Sequence, residues 1–364
     1  MKERLSSPEH VRLSLAAAMT LDLVPGLFYR NARLGCINIL LTYPDGCRAS
    51  CAYCGLSKAR AGEYEEKSFI RVAWDAYPLA DVIDRMAERR GRFERACVSM
   101  VTHERARADM IEVVERIRDG SDTMISVLIT PTMLDRSDLL AYREGGVDRV
   151  GIAIDAARED IFAEMRGPGV GGPHRWSRYW EFFKEALEIF GEGMVGSHFI
   201  VGLGESEREM AAAIQAIRDL GGVTHLFSFF AEPETRLTDL PQPPMGQYRR
   251  MQLARYLIDE KMARADEFEY DATGALTSFG LRDEELERVI ASGTPFMTSG
   301  CPGPDGAVAC NRPYANSLPG PSIRNFPFQP DADDLDRVRS ELWTRGPGSA
   351  GRSSDAARLR EGTT

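Results

Sequence analysis

Three cysteines in one short segment, CRASCAYC, are the residues of this chain with the clearest chemical potential: Cys47, Cys51 and Cys54. Thiolates are soft donors for iron–sulfur clusters and zinc, and a tight loop brings three of them to one group. A cluster used only for electron transfer takes four protein ligands, so three leave one iron open to bind a substrate. Zinc calls for a fourth Cys or His at suitable spacing, and none stands close by in the sequence. The expectation is an iron–sulfur cluster with an open iron, and a noncatalytic zinc protein is the alternative.

Four further cysteines stand at 36, 97, 301 and 310. An odd total of seven, in a chain with no export signal, argues against a disulfide framework and for thiolates with a chemical role. Cys301 and Cys310 fall in SGCPGPDGAVACNRPYANSLPGPSIRNFP, part of a stretch over 292–330 rich in Pro, Gly and Asn. A loop of that length inside a compact domain is functional or disordered, and its cysteines and aromatics favour function. Cys36 begins the first predicted strand and Cys97 lies on the second. Each either points into the interior as a ligand or packs as a small hydrophobe.

The elements that must position these thiols read as strands alternating with helices. Apolar or β-branched runs predict strands over 36–41, 96–101, 124–130, 149–154, 195–201 and 224–229. Apolar residues at three- and four-residue spacing predict helices over 79–89, 108–118, 176–190 and 207–220. Parallel strands need right-handed helical crossovers, so six such units predict an α/β fold, a partial (β/α)6 TIM-like barrel. An open doubly wound sheet competes with it. The predicted division is an N-terminal extension over 1–33, the barrel over 34–290 with a mainly helical end from 245, a cysteine-bearing C-terminal extension over 291–344, and a tail over 345–364 of disordered composition.

Composition narrows the classes of partner. The chain has 364 residues, 43% of them hydrophobic, and a formal charge of −10. It lacks the basic field that holds a nucleic-acid backbone. Its basic residues are 40 Arg and five Lys, a bias that reads as genomic base composition. No apolar secretory core opens the sequence and no run approaches the roughly 18 to 20 residues of a membrane span, so a cytoplasmic protein with no membrane partner is expected.

The CxxxCxxC spacing with an aromatic, Tyr53, before the last cysteine resembles the signature of the radical S-adenosylmethionine (SAM) superfamily. The resemblance implies a four-iron four-sulfur cluster on Cys47, Cys51 and Cys54 whose free iron chelates SAM. Reductive cleavage of SAM then gives a 5′-deoxyadenosyl radical that abstracts a substrate hydrogen. An external electron donor such as flavodoxin or ferredoxin is implied as well. Active sites of barrels sit at the C-terminal ends of the strands, where several candidates for SAM contact fall. Asp155 ends VGIAID and either accepts from the ribose hydroxyls or caps a helix. Arg166 in EMRGPGVGG either pairs with the SAM carboxylate or is solvated. Thr102 and His103 stand where the superfamily contacts the methionine amino group, although the usual Gly-Gly-Glu is missing. HFIVGLGESERE, with Gly202, Gly204 and Glu205, resembles the GxIxGxxE pattern that lines the adenine.

Over 34–330 the sequence is most similar to the sulfur-inserting group near biotin synthase and the two-component type of lipoyl synthase. That resemblance implies a second, auxiliary iron–sulfur cluster that donates sulfide to a substrate radical, with Cys36, Cys301 and Cys310 as ligands and Cys97 in reserve. Asn311 or Arg312 would complete the coordination or cap a sulfide. His198, His225, Arg236, Tyr314, Asn316 and Arg324 are further candidates for the substrate pocket. The substrate would be an acyl chain on a carrier, or a sugar or nucleoside in natural-product biosynthesis. A radical SAM epimerase, mutase or dehydrogenase without sulfur transfer is the alternative.

Overall fold

The computed structural model describes residues 5–314, 318–320 and 322–344. Asn316 and the 345–364 segment lie outside the described residues.

Five elements precede the main run of crossovers: β1 (His10–Ser14), α1 (Leu15–Thr20), β2 (Cys36–Leu41), β3 (Trp74–Pro78) and α2 (Leu79–Glu88). Regular alternation follows in β4 (Arg95–Ser99), α3 (Ala106–Gly120), β5 (Met124–Ile129), α4 (Arg136–Glu144), β6 (Val147–Asp155), α5 (Glu159–Met165), α6 (Trp176–Phe190), β7 (Val195–Val201), α7 (Glu207–Asp219) and β8 (Val223–Ser228). The six strands expected from the sequence are β2 and β4 to β8, all parallel and consecutive in one sheet. The partial TIM-like barrel is therefore the fold, and the sheet is not closed. Two antiparallel strands lengthen it, giving the order β3-β1-β2-β4-β5-β6-β7-β8.

Strand alternation decides what faces the interior. Along β2 every residue from Cys36 to Leu41 is buried, as expected of a strand covered on both faces. The outer helices turn one stripe inward; Tyr179, Phe182, Phe183, Ala186 and Phe190 of α6 are all buried. Capping boxes at Asp135 and Ser206 start α4 and α7, each satisfying free N–H groups of the first turn.

The region expected to be mainly helical is α8 (Met245–Asp259), a short antiparallel pair β9 (Glu269–Tyr270) and β10 (Leu276–Ser278), and α9 (Asp283–Ala291). The last described helix is α10 (Ala332–Leu342). Two arginines of α8 fix the C-terminal segment against the barrel. Arg249, fully buried, donates to Glu341 at 2.9 Å and to the carbonyls of Ile323 and Arg324 at 2.7 Å each. Arg250 holds Glu207 of α7 through two bonds of 2.9 and 2.6 Å and also reaches the Leu342 carbonyl. Both guanidinium groups are thus satisfied while buried, the condition for keeping such groups out of water.

Between α9 and α10, the segment with Cys301 and Cys310 forms a hairpin whose base joins the two cysteines. The Cys301 carbonyl accepts from the N–H groups of Ala309 at 3.1 Å and Cys310 at 3.0 Å. An intervening run of eight residues therefore still places both thiols at one end of a loop. This hairpin packs tightly on its surroundings. A Cβ on Gly35 would lie 2.6 Å from the Ala309 carbonyl oxygen, and one on Gly300 2.1 Å from that of Cys310.

Candidate active site

A cavity of about 230 Å³ opens at the C-terminal ends of the strands. Its wall includes Cys47, Cys51, Cys54, Tyr53, Thr102, Asp155 and Arg166, so seven of the eleven residues named from the sequence for the SAM-cleaving cluster and SAM contacts share one space. Neither Gly202 nor Glu205 is in that wall.

Backbone bonds hold the cysteine loop to the barrel independently of the thiols. Arg48 donates its N–H to the Thr102 carbonyl beyond β4, and Ala52 donates to Met165 at the end of α5, both at 2.7 Å. At Gly55 the loop passes so close to Ser68 that a Cβ would sit 2.3 Å from its carbonyl oxygen. Burial pushes the Cys51 thiol up to about 12 and raises that of Cys54. Neutral thiols are favoured in such surroundings until a bound cation takes the place of their protons. Three soft donors opening on one cavity suit a thiolate-ligated iron–sulfur group. Among the described residues, no group of three or more His, Cys, Asp or Glu side chains is arranged around a single metal ion.

A buried polar chain runs beside the loop. Tyr53 donates to Asp155 Oδ2, and Arg166 donates to the same oxygen at 2.6 Å. Arg166 continues to the Tyr179 hydroxyl at 2.9 Å and to the Ala153 carbonyl. Tyr179 and Thr132 both meet His174 Nδ1, at 3.0 and 2.6 Å. Burial, reinforced by Arg166 and Arg175, lowers His174 to about 2 and keeps it neutral. Arg166 is only 3% exposed, which excludes the solvated role. Asp155 is not a helix cap either: α5 begins at an N-cap of Arg158, and Asp155 itself has a left-handed φ of 66°.

Glu205 serves the backbone. It accepts from the N–H groups of Gly202 at 2.7 Å and Leu203 at 3.0 Å, tying the turn after β7. Burial raises it from the ordinary 4.5 to about 7 against the pull of those bonds. The folded protein keeps a proton there that the unfolded chain releases above about 4.5. Stability from that proton is present below 4.5 and lost as pH rises through about 7. The melting-temperature difference between Glu205→Gln and wild type should thus move in the variant's favour between pH 4.5 and 8. A pH-independent difference would remove Glu205 from this role. His103 also stays outside the cavity wall, stacked on Tyr43 at 3.8 Å and bonded to Asp45 at 3.1 Å.

Below the cavity lies the second thiol group. Cys36, Cys97 and Cys310 form one buried cluster with Cys301 packed against it. Cys36, Asn38 and Leu40 alternate along β2 toward the interior, so the thiols occupy a layer beneath the Asn38 and Leu40 that line the cavity. Asn38 approaches the sulfurs of Cys36 and Cys310 at 3.8 and 3.7 Å, and Arg312 reaches Cys310 at 3.3 Å from the same wall. A hydrogen bond from Cys36, and then Arg312, pulls the Cys310 thiol well down, whereas burial pushes Cys36 up. Asn311 is structural: it donates to the carbonyls of Arg33 and Pro327 and accepts from Gly35.

The remaining pocket candidates separate. His198 lines the cavity; His225 lies behind it, with Nε2 4.0 Å from the Cys301 sulfur. Arg236 binds the Gly169 carbonyl on the surface, and Tyr314 stacks on Phe28 at 5.8 Å, away from the wall. Residues unmarked in the sequence complete the cavity: Arg71, Phe230 and Glu232. For the last two, position just beyond β8 was an available signal; for Arg71 there was none.

Residues 41–217 match the Radical SAM superfamily profile. No curated protein matches the chain in sequence. Among solved structures, the chain is similar to methylornithine synthase (PylB), 13% identical over 66% of this chain and 67% of that one, with a TM-score of 0.46. It is similar also to the FeFe-hydrogenase maturase HydG from Carboxydothermus hydrogenoformans, 12% identical over 68% and 56%, with a TM-score of 0.45. A third is the radical S-adenosylmethionine methyltransferase TsrM from Kitasatospora setae with tryptophan and a SAM analog bound, 14% identical over 90% and 63%, with a TM-score of 0.38. The chain spans 56% of the HydG chain and 63% of the TsrM chain.

Proposed function

We propose, from the match of residues 41–217 to the Radical SAM superfamily profile, that the chain is a radical SAM sulfurtransferase with two iron–sulfur clusters. Cys47, Cys51 and Cys54 would hold the SAM-cleaving cluster; Cys36, Cys97, Cys301 and Cys310 would supply ligands to the auxiliary one. When bound, the first cluster and SAM supply a 5′-deoxyadenosyl radical that removes a substrate hydrogen, and the second supplies sulfide.

The observation that carries this reading is the gathering of four cysteines, remote in sequence, directly beneath the cavity whose wall holds the other three. Buried thiols used only for packing have no reason to meet around Asn38 and Arg312. Both polar groups approach sulfur, and a guanidinium there favours negative charge on it.

The chain's own part is positioning and exclusion of water. Tyr53 and Arg166 both bind Asp155 Oδ2, which orients the carboxylate and leaves Oδ1 free of those two partners for a ribose hydroxyl. Leu40, Phe69, Trp74, Met100, Ile129 and Phe229 make the wall largely apolar. Such a wall excludes water from a reactive site and favours an acyl chain over a sugar or nucleoside. Among the described residues no helix is long and apolar enough to cross a membrane. An external one-electron donor, a flavodoxin or ferredoxin, completes the proposal.

Reconstitution with isotopically labelled sulfide tests the reading. Label is expected in the product, with turnover stalling once the auxiliary cluster is spent. A product that carries no sulfur, or unlabelled sulfur, overturns the donor role and leaves the epimerase, mutase or dehydrogenase reading.

A further inference from the structure

On the β8 side of the cavity, two guanidinium groups share one aromatic ring. The Arg71 carbon lies 3.4 Å from the centroid of Phe230 and the Arg324 carbon 6.0 Å from it. Arg71 lines the cavity, and Arg324 is only 7% exposed. Among the described residues, Nε and Nη2 of Arg71 and Nε and Nη1 of Arg324 are buried without an acceptor. The nearby carboxylate does not serve them. Glu232 is occupied by the Arg71 backbone N–H at 2.6 Å and the Ser68 hydroxyl at 2.9 Å. Burial, opposed by Glu232 and aided by Arg324, lowers Arg71 to about 10.

Arg71 is carried by a turn that sequence preference does not explain. Phe69 and Val72 pair through two backbone bonds, and the two residues between them, Ile70 and Arg71, have φ of 53° and 59°. Such a turn is normally made by Asn-Gly, and a β-branched residue at positive φ is strained. Strain of this kind gathers at ligand clamps. Here it sets the flat face of a guanidinium on Phe230 and leaves the side-on pair of donors, Nε and Nη2, with nothing to bind.

We propose that Arg71, backed by Arg324 and held on Phe230 by the 69–72 turn, is a clamp for a carboxylate borne by an apolar substrate. The inference deepens the acyl-chain reading above and rests on it. Two coplanar N–H donors fit the two oxygens of a carboxylate, a match that a point charge does not offer. Both donors are buried without an acceptor, so a carboxylate that reaches them displaces no existing bond. The ligand class is an apolar chain ending in a carboxylate, with the chain along the cavity and the acid at the β8 side, away from Asp155 on β6.

Calorimetric titration of the reconstituted protein with octanoate and with octanamide provides the test. Wild type is expected to bind octanoate about tenfold or more tightly than the amide. Arg71→Met should lose that preference while keeping its affinity for octanamide, which reports an intact cavity. Arg71→Lys should fall between, since it keeps the charge and loses the fork. Equal affinity of the two probes for wild type, failure of wild type to bind either, or equal losses of both in Arg71→Met overturns the clamp. Binding is read without turnover, so failure here leaves the sulfide-labelling result standing, and failure of sulfur transfer leaves the binding preference standing.

Discussion

Cys47→Ala/Cys51→Ala/Cys54→Ala is expected to form 5′-deoxyadenosine only at background level and to lose about four iron per chain on reconstitution. The reason is stoichiometric: the three thiols of CRASCAYC are the sole protein donors proposed for the iron that binds SAM. The variant remains a fair test because the loop is not held by its thiols. Its bonds from Arg48 to Thr102 and from Ala52 to Met165 are made by the backbone. Cys51 is buried and Cys47 and Cys54 are half-buried, and each truncation removes a single sulfur. Anaerobic iron analysis with chromatographic assay of 5′-deoxyadenosine provides the check. Formation at the wild-type rate would refute the role assigned to the loop.

Cys301→Ala/Cys310→Ala is expected to divide the two chemistries. About four of eight iron should be lost while 5′-deoxyadenosine continues to form. The substrate radical then has no sulfur donor, so thiolated product should vanish and a reduced or rearranged product take its place. Structural damage should be small. Each change removes one sulfur, and the hairpin keeps its backbone bonds from Cys301 to residues 309 and 310. A single truncation of this size costs about 1 kcal/mol where it leaves a void. Full retention of iron in the double variant sinks the auxiliary-cluster assignment and returns these thiols to hydrogen-atom donation or packing.

The sequence shows the parallel strands well because each is a short apolar run with the period of a buried strand; 36–41 and 195–201 coincide with β2 and β7. It does not show β1 or β3. HVRLS carries Arg12, whose charge argues against a buried strand, yet Arg12 is only 3% exposed and donates to the carbonyls of Lys67 and Trp74. WDAYP ends in proline, a breaker that β3 tolerates as an edge strand. The 245–290 region read as helix because the turn DATG within it is short; residues 271–274 connect β9 to β10.

At the site, legibility followed residue type. Cysteines announce metal chemistry wherever they stand, and a carboxylate at a strand end announces a ligand contact. Cys97 shows the limit: one buried cysteine on a strand is indistinguishable from a small hydrophobe until Cys36 and Cys310 are seen beside it. Glu205 shows another, since the same glycine-rich pattern serves a ligand or its own backbone, and here its oxygens face Gly202 and Leu203. Arg71 was beyond reach because Ile-Arg carries no signal for left-handed backbone.

The hairpin that brings Cys301 and Cys310 to Cys36 and Cys97 also sets an order of maturation. The loop's three thiols stand within eight consecutive residues, so they are complete once a small fraction of the chain has left the ribosome. The other four are divided between positions 36 and 310 and meet only when the C-terminal segment has docked on α8 through Arg249. Contacts so distant in sequence form late. Cluster delivery during synthesis would therefore reach the first thiol group before the second exists, and a chain truncated before residue 301 would retain the first group's ligands while leaving Cys36 and Cys97 without the other two thiols of their cluster.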